Sequence, residues 1–156
     1  MSGARVRGEV RGVVIPTGAA DLLLPNAAVA EVMGYQDPMV LPSAPDWLLG
    51  MVTWRGCSVP LVSLPQADVA SEKGAHGQRT RLVICYTPSG NAALPYVGIR
   101  ADGPPRLARL SAQTLMPAQI EIGNPFVLHG LIHAERPAFI PDMDAIERAV
   151  LEAIQQ

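Results

Sequence analysis

The sequence predicts a mainly β protein, built as small barrels or a sandwich with one late helix. Short segments of strand character recur between turns rich in Gly, Pro, Asn and Asp. A 3.6-residue apolar period is convincing only near the end of the chain. Of 156 residues, 49% are apolar and 17% charged, so the chain can bury a core without staples, and residues 1–156 read as one unit with no second independent domain.

The elements follow in order. Arg5 to Ile15 alternates arginine or glutamate with valine or glycine, the pattern of a strand with one wet face, and Pro16-Thr17-Gly18 ends it. Asp21 to Pro25 is a short apolar run. Asn26 to Met33 is one helical turn by alanine propensity or a strand by Val29 and Val32; Gly34 and Asp37-Pro38 close it quickly and favour an extended segment. Asp46 to Leu49 makes a single helical turn. Leu41 to Leu64 then reads as an approach held extended by Pro42 and Pro45, a strand, a tight turn at Arg55-Gly56, and a returning strand that contains Pro60. Gln66 to Gln78 has no sustained apolar period and reads as an exposed, mobile loop.

Thr80 to Thr87 is the clearest strand, Pro88-Ser89-Gly90-Asn91 a turn, and Ala93 to Arg100 the return of a second hairpin. Asp102-Gly103-Pro104-Pro105 turns the chain into the alternating Arg106 to Leu110, after which Ser111 caps a brief helix over Ala112 to Leu115. Ile120 to Pro125 is irregular. Phe126 to Ala134 is a buried-type strand that Glu135-Arg136-Pro137 turns into Ala138 to Pro141. The last element, Asp144 to Ala153, is a helix with Asp144 and Glu147 in capping-box spacing and Met143, Ile146, Val150 and Ile154 on one face.

Composition also excludes functions. Apolar runs are broken far short of a membrane span, and Val13-Val14-Ile15 before Pro16 is too short for a signal-peptide core. A net charge of −2, with no basic cluster beyond Arg79-Thr80-Arg81, gives phosphate backbones little attraction, so no nucleic-acid partner is expected. Cys57 and Cys85 are too few for a disulfide framework and read as reduced core thiols. On a strand, His129 and His133 share a face but stand roughly 13 Å apart, too far to share one metal. His76 is a solvated loop residue, and Asp142-Met143-Asp144 places acids at the positive end of a helix. No nucleophile, phosphate loop, metal site or cofactor site emerges, so no enzyme is expected.

Arg55 stands apart, set between Trp54 and a glycine that frees the backbone, a setting that presents a guanidinium for bidentate or stacking contacts. The surrounding motifs resemble those of the CheW-like family of bacterial chemosensory adaptors. Leu23-Leu24-Pro25 leading to Val29-Ala30-Glu31-Val32, Pro42-Ser43-Ala44-Pro45 to Gly50, Arg55-Gly56 to Pro60, Val97-Gly98-Ile99-Arg100-Ala101-Asp102, and His129-Gly130-Leu131 with Pro141-Asp142-Met143-Asp144 match in order. The resemblance implies two small five-stranded SH3-like barrels, intertwined in one domain and sharing a hydrophobic interface, with no catalytic site and no cofactor. It implies a cytoplasmic adaptor at membrane-proximal arrays, coupling the cytoplasmic tip of a methyl-accepting chemoreceptor to a CheA-type histidine kinase. Glu31 and Arg55 fall at positions the family uses at the receptor-facing groove, with Val29 and Val32 as apolar neighbours; the kinase-facing residues stay unassigned. Thr53-Trp54-Arg55-Gly56 departs from the usual Asn-hydrophobic-Arg-Gly, and Ser63-Leu64 from Asp-Leu. The Trp-Arg-Gly form is similar to members attached to type IV pilus and twitching systems. Outside the resemblance, the residues also allow a stand-alone β-barrel that binds a peptide or small ligand, or a thiol enzyme using Cys57 or Cys85.

Overall fold

Eleven strands in two sheets and one helix make up the described part of a computed structural model, which comprises residues 9–18, 20–64, 77–117 and 126–155. The first sheet takes both ends of the chain. It runs β8-β1-β2-β11-β10-β9, with β1 at Glu9–Pro16, β2 at Asp21–Pro25, β8 at Arg106–Ser111, β9 at Leu115–Pro117, β10 at Val127–His133 and β11 at Arg136–Pro141. The second takes the middle, in the order β3-β6-β7-β5-β4. Its strands are β3 at Val29–Gly34, β4 at Leu48–Trp54, β5 at Cys57–Val62, β6 at Arg81–Tyr86 and β7 at Tyr96–Ala101. All neighbours are antiparallel except β11 with β2 and β5 with β7. The second sheet has the five strands expected; the first carries a sixth, the three-residue β9.

Alternation along each strand explains three separate cores. Val14 and Leu23 face the interior of the first barrel, with Leu110 and Ala138. Leu82, Ile84, Val59 and Leu61 fill the second barrel. Their neighbours Val13, Ile15, Leu22, Leu24, Val83, Cys85 and Ile99 point the other way and meet in the largest cluster, between the barrels. Strands buried on both faces read as continuous apolar runs. For the same reason the wet face expected along the first strand stops early: Glu9 to Arg11 are exposed, while Gly12 to Ile15 are buried.

The helix, α1, covers Met143–Ile154 and sinks Ile146 and Val150 into the inter-barrel core. Its cap differs from the expected box. Asp142 is the N-cap, accepting from the Ala145 amide at 3.1 Å, and Glu147 is buried, accepting from the backbone and hydroxyl of Ser89 in the β6–β7 connection. A carboxylate three residues past Asp144 is used to latch the helix to the second barrel instead of closing its own first turn.

Other expectations shift locally. Asn26–Ala28 forms a 3-10 turn and Val29–Gly34 the strand, so both alternatives for that segment are present in sequence. The turn before the central hairpin ends with Leu48 donating to Pro45, and Leu48 and Leu49 already belong to β4. Ser111 caps no helix: its hydroxyl accepts from Gln113 and its carbonyl from Thr114, a tight turn that leads into β9. Strand β10 is only partly covered, with Leu128 and His129 exposed. The loop expected at Gln66 to Gln78 falls mostly, and the irregular stretch Ile120 to Pro125 wholly, outside the described residues, as does His76.

Candidate functional site

Strands β3 and β4 form opposite edges of the second sheet, and the segment that follows β3 closes the gap against β4. Met39 and Met51 exchange backbone hydrogen bonds at 2.8 and 2.9 Å. Gly50 permits that approach, since a Cβ there would lie 2.4 Å from the Met39 carbonyl oxygen. Next along the seam, the Gln36 side-chain amide imitates a strand: its oxygen accepts from Thr53 N at 2.7 Å and its nitrogen donates to the Thr53 carbonyl at 3.4 Å. The seam ends at Glu31 and the hairpin tip.

That tip is a two-residue turn in which Arg55 and Gly56 both have positive φ, 49° and 77°, the geometry that matches the twist of paired strands. Arg55 adopts it without the freedom of glycine, an uncommon backbone conformation for a residue with a side chain. Its Nη2 donates to Glu31 Oε1 at 2.9 Å, and its guanidinium carbon sits 5.1 Å from the centre of the Trp54 ring. The Trp54 indole donates to the same Oε1 at 3.2 Å. The Arg55 side chain is 72% exposed and that of Glu31 38%, so the pair contributes only about 0–1 kcal/mol to folding. What it does is orient two opposite charges at the rim.

A β-bulge decides what stands beside them. Val29 pairs with Cys85, Glu31 with Ile84 and Val32 with Val83, with a register shift between Val29 and Glu31. Opposed residues share a face, so Val29 and Val32 lie on the outer face and Glu31 on the face of the barrel interior. Val29 packs half-buried against the inter-barrel core, and Val32 is 42% exposed. The structure thus joins Glu31 to Arg55 and sets the two valines on the other side of β3.

Two residues not singled out from the sequence extend the rim. Trp54 packs edge-on to Tyr96, centroids 4.8 Å apart, and Tyr96 lies 5.7 Å from its cross-strand partner Tyr86, which is half exposed. Their position at the two inner ends of the second hairpin was the available signal: strand-terminal tyrosines flanking one turn face each other.

Cys85 is buried, and burial pushes its thiol up to about 12, which keeps it protonated and unreactive. Cys57 is partly exposed, opposite Trp54 in the hairpin register. Among the described residues no three His, Cys, Asp or Glu side chains are grouped to hold a metal. His129 is exposed and His133 buried.

Comparison with known proteins agrees with this architecture. Residues 11–150 match the family model described as CheW-like domain. The crystal structure of scaffolding protein TtCheW from Thermoanaerobacter tengcongensis is similar in fold, with a TM-score of 0.66 over 85% of this chain and 83% of that one, at 16% identity. No curated protein matches the sequence.

Proposed function

The chain belongs to the CheW-like domain family, and on that premise we propose that it is a non-enzymatic adaptor joining a chemoreceptor's cytoplasmic tip to a CheA-type histidine kinase. The observation that carries the receptor half is the charged pair at the seam, Arg55 held by Trp54 and Glu31 at the hairpin tip, with Tyr96 and the half-exposed Tyr86 next to Trp54 and Val32 exposed on the other side of β3. Oriented opposite charges with apolar and aromatic neighbours make a polar-rimmed contact surface. In this reading Val29 supports β3 from beneath more than it touches a partner. No helix among the described residues is long and apolar enough to cross a membrane, and we place the protein in the cytoplasm, held at arrays by its partners. The Trp54-Arg55-Gly56 form favours a pilus-linked, twitching pathway over general chemotaxis. Titrating the protein with a receptor-tip fragment and with a kinase regulatory domain tests both halves. Saturable binding to each is expected; binding to neither would leave a barrel module for some other peptide.

A further inference from the structure

We propose that the first barrel carries a carboxylate-binding site built on Arg106 and Arg136, distinct from the Glu31–Arg55 rim and independent of its role. The starting point is Asp21, which is only 2% exposed. A buried carboxylate needs compensation, and one guanidinium suffices to balance its charge. This one has two. Arg136 Nε donates to Asp21 Oδ2 at 3.3 Å, and Arg106 Nη2 stands 3.7 Å from the same oxygen.

Strand alternation puts all three on the interior face of the first sheet, with Asp21 buried and the two arginines reaching out to solvent. Asp21 is two residues from Leu23, Arg136 two from Ala138, and Arg106 is paired with Val14, each of those a member of the barrel's interior cluster. His133 joins them on that face, as the cross-strand partner of Arg136 and two residues from Leu131. It is 9% exposed, and its Nδ1 is buried with no hydrogen-bond partner among the described residues. Buried polar atoms are ordinarily paired, so an unpaired one on the residue that pairs with Arg136 marks a place for a further polar group.

The guanidiniums are anchored beneath and open above. Their side chains are 52% and 58% exposed, and their remaining N–H groups have no other partner among the described residues. Two cations on one carboxylate leave a local charge of +1 in a chain whose net charge is −2. A single carboxylate neutralises that excess, whereas a phosphate dianion overfills it. A planar carboxylate also matches the guanidinium edge, which presents parallel donors.

The test uses the whole protein, read by the chemical shifts of the His133 ring and the arginine Nε–H groups. Acetate and a glutamate-containing peptide are titrated in parallel, with inorganic phosphate as comparator. A saturable shift with acetate assigns the site to small carboxylates, and one with the peptide alone assigns it to an acidic segment of a partner; either supports the site. Arg106→Gln leaves the closer Asp21–Arg136 pair intact, so it keeps the fold while weakening carboxylate binding by about tenfold or more. Arg136→Lys, which keeps the charge but loses the planar fork, weakens it less than Arg106→Gln does. Absence of any saturable shift, a shift that persists unchanged in a folded Arg106→Gln, or tighter binding of phosphate than of either carboxylate would overturn the proposal.

Discussion

Reversing Arg55 separates the seam from the surface. In Arg55→Glu a second carboxylate faces Glu31 where the guanidinium stood 2.9 Å away. Both positions are solvated, and the Trp54 bond to Glu31 remains possible, so the loss in folding is at most about 1 kcal/mol. For a chain of this size that is roughly 2–4 °C in melting temperature. A charge reversed within a partly desolvated contact costs far more, about 2–5 kcal/mol, which is about thirtyfold to a few thousandfold in affinity. The double exchange Glu31→Arg with Arg55→Glu restores opposite charges across the seam but removes the acceptor for the Trp54 indole, a term of about 0.5–1.5 kcal/mol, and the guanidinium from the Trp54 ring, about 0.5–1 kcal/mol at an exposed site. Thermal melts and titration calorimetry with a receptor-tip fragment therefore give a distinctive pattern: near-normal folding in both variants, and weak binding in both. Recovery of affinity in the double exchange would show that the pair acts only by closing the barrel. Wild-type affinity in a normally folded Arg55→Glu would place the partner elsewhere.

Two further outcomes follow from burial. Ile146→Ala empties a fully buried position between the barrels and lowers unfolding free energy by about 2–5 kcal/mol in a denaturant titration, and a loss under about 1 kcal/mol would mean the helix is not docked there. Because burial raises the Cys85 thiol from its ordinary 9 to about 12, its contribution to stability is complete below pH 9 and fades as pH rises toward 12. Wild type should lose more stability over that interval than Cys85→Val, and a thiol reagent at pH 8 should label Cys57 well ahead of Cys85; equal labelling would contradict the burial.

The fold was legible where one local rule decides. Arg55-Gly56 between apolar runs is a hairpin, and runs such as Leu82-Val83-Ile84-Cys85 reflect strands covered on both sides. The helix was legible by period, but its cap was not, because capping-box spacing favours Asp144 with Glu147 over Asp142 with Ala145, and only packing shows that Glu147 turns toward Ser89. Ser111 heads a turn because its side chain and carbonyl are both used within three residues, a choice propensity does not rank. The site was less legible still. Glu31 and Arg55 came together through family resemblance, since their contact depends on sheet closure and not on spacing. The facing of Val29 and Val32 depends on a bulge, and the stack of Trp54 on Tyr96 skips a strand.

The chain ends share one barrel while the middle forms the other, and that arrangement has a temporal consequence. During synthesis β3 to β7 emerge together and can pair among themselves, whereas β1 waits for β8, so that Val14 meets Arg106 only after the whole second barrel has left the ribosome. Pairings of such long sequence separation form slowly. Until α1 arrives, the apolar side chains destined for the space between the barrels stand open to other nascent chains, the exposure that makes partly folded species prone to aggregate. The second barrel is therefore expected to act as the folding template, with the first completed upon it and the terminal helix closing the gap last.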